Sequence, residues 1–349
     1  MKYLCVEEFL KMSQDAPMID VRSEAEYLHA HIPGAYNIQL FNNEERAEIG
    51  LIYKLQGSDD AVSKGLELVE PKFSHYFDQL RQLTTKKQIL IYCWRGGMRS
   101  SSLAWLYETG CYECFVLTKG YKAFRNHVLE SFSKPAKIFI IGGKTGSGKT
   151  DILKELYDKG EQVIDLEYYA NHKGSAFGHL GQPPQPSSEY FENQLFMEWN
   201  KFDLAKPIWI EDENQQIGNI FIPKPLWIQM QKSLVFMIDV SLEKRLIRLM
   251  LEYSCFNKEY LIGCFEKIGR RIGSENLKTA VYCLNNDDLK TACNIVLKYY
   301  DKAYLNSLSK KNSELVHTIE CPDTDLTLIS EILQAKVNSN PIRFIPDET

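Results

Sequence analysis

Two short stretches of this chain could carry chemistry. The first is Tyr92-Cys93-Trp94-Arg95-Gly96-Gly97-Met98-Arg99-Ser100, in which a thiol is followed by two glycines and two arginines. The second, Gly143-Lys144-Thr145-Gly146-Ser147-Gly148-Lys149-Thr150, is a complete P-loop pattern. In the first, Gly96 and Gly97 let backbone N–H groups converge on an anion, and Arg95 and Arg99 add charge and forked donors. A cysteine before a helix N-terminus and beside arginines is favoured as the thiolate nucleophile. In the second, backbone N–H groups at Gly143, Gly146 and Gly148 would hold a diphosphate, Lys149 would neutralise it, and Thr150 would ligate Mg²⁺. Alone, the first loop reads as a sulfurtransferase or phosphatase and the second as a nucleotide-utilising enzyme. Together they point to a transferase that joins sulfur or selenium chemistry to a phosphorylated substrate.

Both loops need a strand before them and a helix after them. Gln88-Ile89-Leu90-Ile91-Tyr92 is an apolar, β-branched run that delivers Cys93 at its carboxyl end. A helix is expected over Ser100–Thr109, closed by Gly110. Met18–Arg22 and Cys114–Leu117 read as further strands. Ile138-Phe139-Ile140-Ile141 leads into the P-loop, and Asp151–Leu156 follows it as a helix. Further strands are expected at Gln162–Asp165, Ile208–Glu211 and Leu234–Asp239, with helical periodicity from Ser241 onward. Strands alternating with helices define an α/β protein with parallel sheets, whose chemistry sits at strand carboxyl ends. The polar stretch Ser131–Pro135 marks the boundary. The expected division is residues 1–132, then a P-loop domain over 133–337 with a helical C-terminal part, and an irregular tail over 338–349.

Ile208-Trp209-Ile210-Glu211-Asp212-Glu213 offers Walker B acids, with Glu211 and Asp212 chosen to reach the metal. Arg245 and Arg248, on a strand-to-helix passage resembling that of P-loop kinases, are placed equally well at a phosphate or on a solvated face. Asn171-His172-Lys173-Gly174-Ser175-Ala176-Phe177-Gly178 reads as a flexible substrate loop. His172 and His179 lack partners at metal spacing and are assigned structural or surface roles.

Composition sets the bounds. At 349 residues, 44% hydrophobic and 25% charged, the chain suits two soluble domains, and no apolar run approaches a membrane span. Its amino terminus reaches Glu7 and Glu8 before any apolar core, which excludes a signal peptide. Nine scattered cysteines then imply free thiols in a reducing cytoplasm, with the lone pair Cys111 and Cys114 in packing roles. A net charge of −5 neither requires nor excludes a nucleic acid, since binding follows local basic stripes.

Asp20-Val21-Arg22-Ser23 through His31-Ile32-Pro33-Gly34-Ala35-Tyr36-Asn37-Ile38, with Cys93–Ser100 and Lys119-Gly120-Tyr121, resembles the rhodanese domain. The Cys-x5-Arg spacing is one residue longer than in many rhodaneses and matches the dual-specificity phosphatases, which suggests an oxyanion such as selenophosphate. A phosphatase usually carries His before the cysteine, and here Tyr92 stands there. The fold class is thus a rhodanese-like parallel-sheet domain followed by a P-loop NTPase-like domain. That combination, with the loop at 171–178, Glu211-Asp212-Glu213 and Tyr299-Tyr300-Asp301-Lys302-Ala303-Tyr304, resembles the tRNA 2-selenouridine synthase family. The resemblance implies replacement of sulfur by selenium at position 2 of a wobble 2-thiouridine in tRNA. It also implies selenophosphate and geranyl diphosphate as co-substrates, with an S-geranyl intermediate. Cys93 would take or position selenium, Arg95, Gly96, Gly97 and Arg99 would hold the oxyanion, and the P-loop would hold geranyl diphosphate or a nucleotide. Lys119, Lys122, Arg125, Lys137, Arg270 and Arg271 are the basic residues considered for tRNA phosphates. The alternative is a sulfurtransferase or phosphatase fused to a small-molecule kinase.

Overall fold

Continuous apolar runs in this sequence become strands covered on both faces, as parallel sheets require. The structure, a computed structural model, describes residues 1–321 and 325–339. The chain divides into two units, one of Met1–Ser131 with Glu192–Gln194, the other of Phe132–Phe191 and the residues from Leu195 onward.

In the first unit, β1 (Lys2–Leu4), β2 (Met18–Asp20), β3 (Tyr36–Asn37), β4 (Gln88–Tyr92) and β5 (Glu113–Leu117) form one parallel sheet in the order β1-β5-β4-β2-β3. The central strand β4 buries Ile89, Leu90, Ile91 and Tyr92 completely and delivers Cys93 at its carboxyl end. The helix after it runs Met98–Thr109, two residues longer at its start than the sequence suggests, so the arginine-bearing segment is already helical. Arg22 of the Asp20-Val21-Arg22 motif is buried, and its guanidinium binds both Asp20 oxygens at 2.7–3.1 Å and the Ala30 carbonyl at 2.7 Å. It also lies 4.0 Å from the Tyr121 ring centroid. This pair anchors the strand ends around the cysteine loop and leaves none of its own charge for a ligand.

The second sheet is also parallel, in the order β12-β11-β6-β8-β7, built from β6 (Ile138–Gly143), β7 (Gln162–Ile164), β8 (Ile208–Glu211), β11 (Leu234–Asp239) and β12 (Val316–Glu320). A small antiparallel hairpin pairs β9 (Gln216–Ile217) with β10 (Ile220–Phe221). The first strand of this unit, β6, is central, and the chain leaves it in both directions, so the P-loop opens at the topological switch point where ligands bind. Beyond Ser241 the mainly helical region expected is observed, and it also holds one strand, β12, at the edge alongside β11. Only Ile319 of that strand is buried, so its apolar signal is weak. The helices Leu242–Tyr253, Lys258–Ile272, Ser274–Asn285 and Leu289–Leu308 form a core of their own around Phe265, Ile268 and Val296. A last helix spans Leu326–Ser339, and the tail expected over 338–349 lies outside the described residues from 340 onward. Among the described residues no helix is long and apolar enough to cross a membrane.

Candidate functional sites

Cys93 is buried at the base of its loop, with its Sγ 3.2 Å from Ser100 Oγ and 3.9 Å from the Gly97 carbonyl. Ser100 donates in turn to the Gly97 carbonyl at 3.0 Å. Gly97 caps the helix, so the loop runs directly into a helix N-terminus, whose free N–H groups favour an anion. The loop is held by the Lys119-Gly120-Tyr121 segment. Tyr121 N donates to Cys93 O at 2.9 Å and Lys122 N to Trp94 O at 3.0 Å. Gly96 (φ +63°) and Gly120 (φ +60°) interlock so tightly that a Cβ on Gly120 would strike Cys93 O, and one on Gly96 would lie 2.5 Å from Leu117 O. These two glycines therefore fix the loop, which is why the closing motif belongs to the site.

The two arginines differ. Arg95 is exposed and, among the described residues, has no ion-pair partner, so its charge is not answered within the protein. Arg99 is half-buried and donates to Glu26 at 2.9 Å, and Arg46 approaches the same carboxylate at 3.7 Å. Burial would raise the Glu26 carboxyl, but the hydrogen bond and charge of Arg99 hold it below its ordinary value. Arg99 thus reaches the loop's edge with part of its charge already answered. The counter-ion Glu26 has no motif of its own in the sequence; only its place in the Ser23-x-x-Glu26 capping box was legible.

In the second unit Gly146 (φ +80°) and Gly148 (φ +84°) turn the P-loop into the helix Lys149–Asp158. A cavity of about 730 Å³ opens above it, lined by P-loop residues, acids and the aromatic rings of Tyr168, Trp227, Tyr253, Tyr300 and Tyr304. Lys149 Nζ lies 3.4 Å from Gly143 O. Burial disfavours its charge, but Glu213, Glu167, Glu211 and Asp212 outweigh that and raise its pKa. The substrate loop at 171–178 closes over two of these acids, since a Cβ on Gly174 would meet Glu213 Oε2 at 2.6 Å and Glu167 Oε1 at 3.1 Å. His172 is buried with Nδ1 unpartnered, and burial followed by His179 and Lys267 lowers its pKa.

The acids chosen from sequence do not play the same part. Glu211 is fully buried, with Oε1 accepting from Glu167 N at 2.8 Å and Oε2 without a partner. Asp212 lines the cavity but already accepts from Lys311 at 2.7 Å and from Tyr304 at 3.0 Å. Asp165, Glu167 and Glu213 line it too. Burial first, then neighbouring carboxylates, pushes Glu213 up to about 8 and Glu211 well above its ordinary value, and burial raises Asp165 and Glu167. This excess of buried negative charge and the orphaned Glu211 oxygen fit a divalent cation. Mg²⁺ is commonly held by one or two carboxylates with waters and phosphate oxygens, so Thr150 with Asp165 or Glu167 would suffice. No cage of three or more ligands exists among the described residues.

A pH dependence follows. These carboxyls keep protons in the folded protein that the unfolded chain releases above about 4.5, so folding takes up protons. Glu213 alone should therefore cost the second unit thermal stability as pH rises from about 4.5 to about 8, and the other raised carboxyls add losses of the same sign. Calorimetry across this window, repeated with Mg²⁺ and diphosphate, should show the slope flatten on addition. An unchanged slope would mean the cation does not meet these acids.

Arg245 and Arg248 also separate. Arg245 is buried and binds Asp301 at 2.7 and 2.8 Å, Thr145 O at 3.1 Å and Val240 O at 3.2 Å. It braces the P-loop from behind. Arg248 lines the cavity, pairs with Asp151 at 2.5 Å, and occupies the space a Cβ on Gly148 would need. Tyr300, Asp301 and Tyr304 share one face of the helix Leu289–Leu308: Tyr300 OH accepts from Ala176 N at 3.0 Å and Tyr304 OH from Gly143 N at 2.9 Å. The role of that helix and of Lys311 was missed from sequence; the 300/301/304 spacing was the available signal. Of the basic residues considered for RNA, Lys119, Lys122, Arg270 and Arg271 are exposed. Arg125 instead pairs with Glu192 and Asn193, which removes it from the phosphate contacts. Cys111 and Cys114 are both free, Cys114 buried in β5.

A rhodanese-like sheet ending in a cysteine loop, in one chain with a P-loop sheet and its helical extension, defines a rhodanese–P-loop fusion. Residues 6–127 match the family model of the rhodanese-like domain, and residues 136–328 that of the tRNA 2-selenouridine synthase AAA domain. The chain belongs to the tRNA 2-selenouridine synthase family. Its relatives named tRNA 2-selenouridine synthase include proteins of Bdellovibrio bacteriovorus (39% identical, over 69% of this chain and 65% of the relative) and Nitrosomonas europaea (34%, 68% and 64%). A relative from Proteus mirabilis is 32% identical over 88% of this chain and 93% of its own length. The chain thus spans 64% of the Nitrosomonas europaea relative it matches.

Proposed function

We propose that this protein replaces sulfur by selenium at position 2 of a wobble 2-thiouridine in tRNA, by two steps divided between its two loops. The observation that carries this reading is the pairing, in one chain, of a cysteine loop bearing an exposed Arg95 with a P-loop that opens into a cavity of about 730 Å³. In the first step the thiouridine sulfur attacks C1 of geranyl diphosphate, the C–O bond breaks, diphosphate leaves and the N3 proton is lost. Gly146, Gly148, Lys149 and Arg248 hold the leaving diphosphate, and Mg²⁺, when bound beside Thr150, neutralises its charge. In the second step selenium from selenophosphate adds to C2, geranylthiolate departs, and water cleaves the P–Se bond to leave phosphate. Cys93 presents the selenium while Arg95 and the loop amides of Gly96 and Gly97 hold the phosphate group. S-alkylation makes chemical sense first, because an alkylthiolate leaves C2 far more readily than a thiocarbonyl sulfur does. A tRNA substrate places the reaction in the cytoplasm, and the names of the relatives support the tRNA reading.

The test is mass spectrometry of 2-thiouridine tRNA incubated with the protein, geranyl diphosphate, Mg²⁺ and selenophosphate. Wild type should yield selenouridine, whereas Cys93→Ala should accumulate S-geranyl-2-thiouridine and make selenouridine at least about a thousandfold more slowly. An unmodified tRNA under every condition would sink the reading and favour a sulfurtransferase fused to a small-molecule kinase.

A further inference from the structure

The first unit holds a second cavity, of about 320 Å³, that neither loop accounts for. Its walls are apolar, chiefly Leu40, Phe41, Ile49, Leu66, Val69 and Met98. It lies against the helix that starts at Met98, and Arg99 and Ser102 of that helix line it together with Met98. Its charged lining residues are Arg99 and Arg46, which converge on Glu26. Two glycines in the facing helices Asn43–Leu55 and Ser58–Val69 keep the space open. A Cβ on Gly50 would meet only Arg46 Nη1, at 3.8 Å, and one on Gly65 only Phe41 Cζ at 3.4 Å and Ile49 Cδ1 at 3.9 Å. Glycine within a helix costs about 1 kcal/mol relative to alanine, so packing alone does not favour either residue here.

An apolar slot at the low end of ligand-pocket size, beside arginines and against the helix that follows the cysteine loop, suits an amphiphile. Its apolar end would fill the cavity while its polar end met the cysteine loop. We infer that this cavity seats the alkyl chain carried on the substrate's sulfur while the uracil C2 faces the Cys93 loop. This rests on the alkylated intermediate proposed above. Burying that chain would draw only the alkylated tRNA into the second site and would hold the departing alkylthiolate away from C2.

The test measures binding apart from turnover. Fluorescence anisotropy of the full-length Cys93→Ala protein would compare anticodon stem-loop RNAs whose wobble 2-thiouridine carries S-geranyl or S-methyl. The geranyl RNA should bind at least about tenfold more tightly. Gly50→Leu and Gly65→Leu, made in the same background, should each reduce that preference to about twofold or less, with S-methyl affinity and thermal unfolding unchanged. Equal affinity for the two RNAs, or a preference that survives both substitutions, overturns the assignment. A Gly-dependent preference without selenouridine formation by the Cys93-containing protein would uphold the cavity and reject the two-step reading. A copy of the chain seated in the slot would show as a change in oligomeric state on Gly50→Leu, and would count against the assignment.

Discussion

Lys149→Ala is expected to abolish S-alkylation of the tRNA, by at least about a thousandfold, while leaving selenation of a pre-alkylated RNA within about threefold of wild type. The diphosphate leaving group accumulates negative charge as its C–O bond breaks, and Lys149 is the cation seated inside the P-loop, 3.4 Å from Gly143 O. Four carboxylates keep that ammonium charged against the cost of burial. Arg248, the other basic group above Gly148, is half-exposed and shared with Asp151, so it cannot replace Lys149. Removing the lysine also takes away the cation that lowers Glu167 and Glu213, so the variant should hold its protons to still higher pH. The two half-reactions are read separately by mass spectrometry, one from 2-thiouridine RNA with geranyl diphosphate, the other from synthetic S-geranyl RNA with selenophosphate. Equal loss of both would place the P-loop in the selenium step and end the division of labour.

The parts of this molecule written in local patterns were legible in the sequence, and the parts written in tertiary contacts were not. Both glycine-rich loops follow apolar strands at central sheet positions, so β4 with Cys93 and β6 with the P-loop were legible through apolar runs and glycine spacing. The helices at 43–55, 58–69 and 73–83 were not assigned, although Asn42 and Glu45 form a reciprocal capping box. The first of these helices buries no residue, so its apolar stripe is faint. The edge strand β12 was hidden for a similar reason. What the sequence did not show is a side chain's partner when that partner is remote. Asp212 is paired with Lys311, 99 residues away, and Arg99 shares its charge with Glu26, 73 residues away. No spacing rule reaches across such separations.

The same reasoning separates Arg245 from Arg248, which the sequence left equivalent, and predicts opposite phenotypes. Arg245 is about 3% exposed and fills its donor set with Asp301, Thr145 O and Val240 O. Arg245→Ala leaves a mostly buried carboxylate unpaired and two carbonyls unmet, which should cost about 3–5 kcal/mol. The thermal transition of the second unit should then fall by about 10 °C, with the first unit's transition unmoved. Adding Asp301→Leu to Arg245→Met should recover much of that loss, because a buried ion pair replaced whole by apolar groups is often near neutral. Arg248 is the reverse case. Its ion pair with Asp151 is half-exposed and contributes at most about 1 kcal/mol, so Arg248→Ala should keep the wild-type transition and instead weaken diphosphate binding about tenfold. Calorimetry and diphosphate titration on the two variants check this together. If Arg245→Ala unfolds normally and loses only ligand affinity, the brace is really a phosphate contact, and the P-loop owes its shape to its glycines and helix alone.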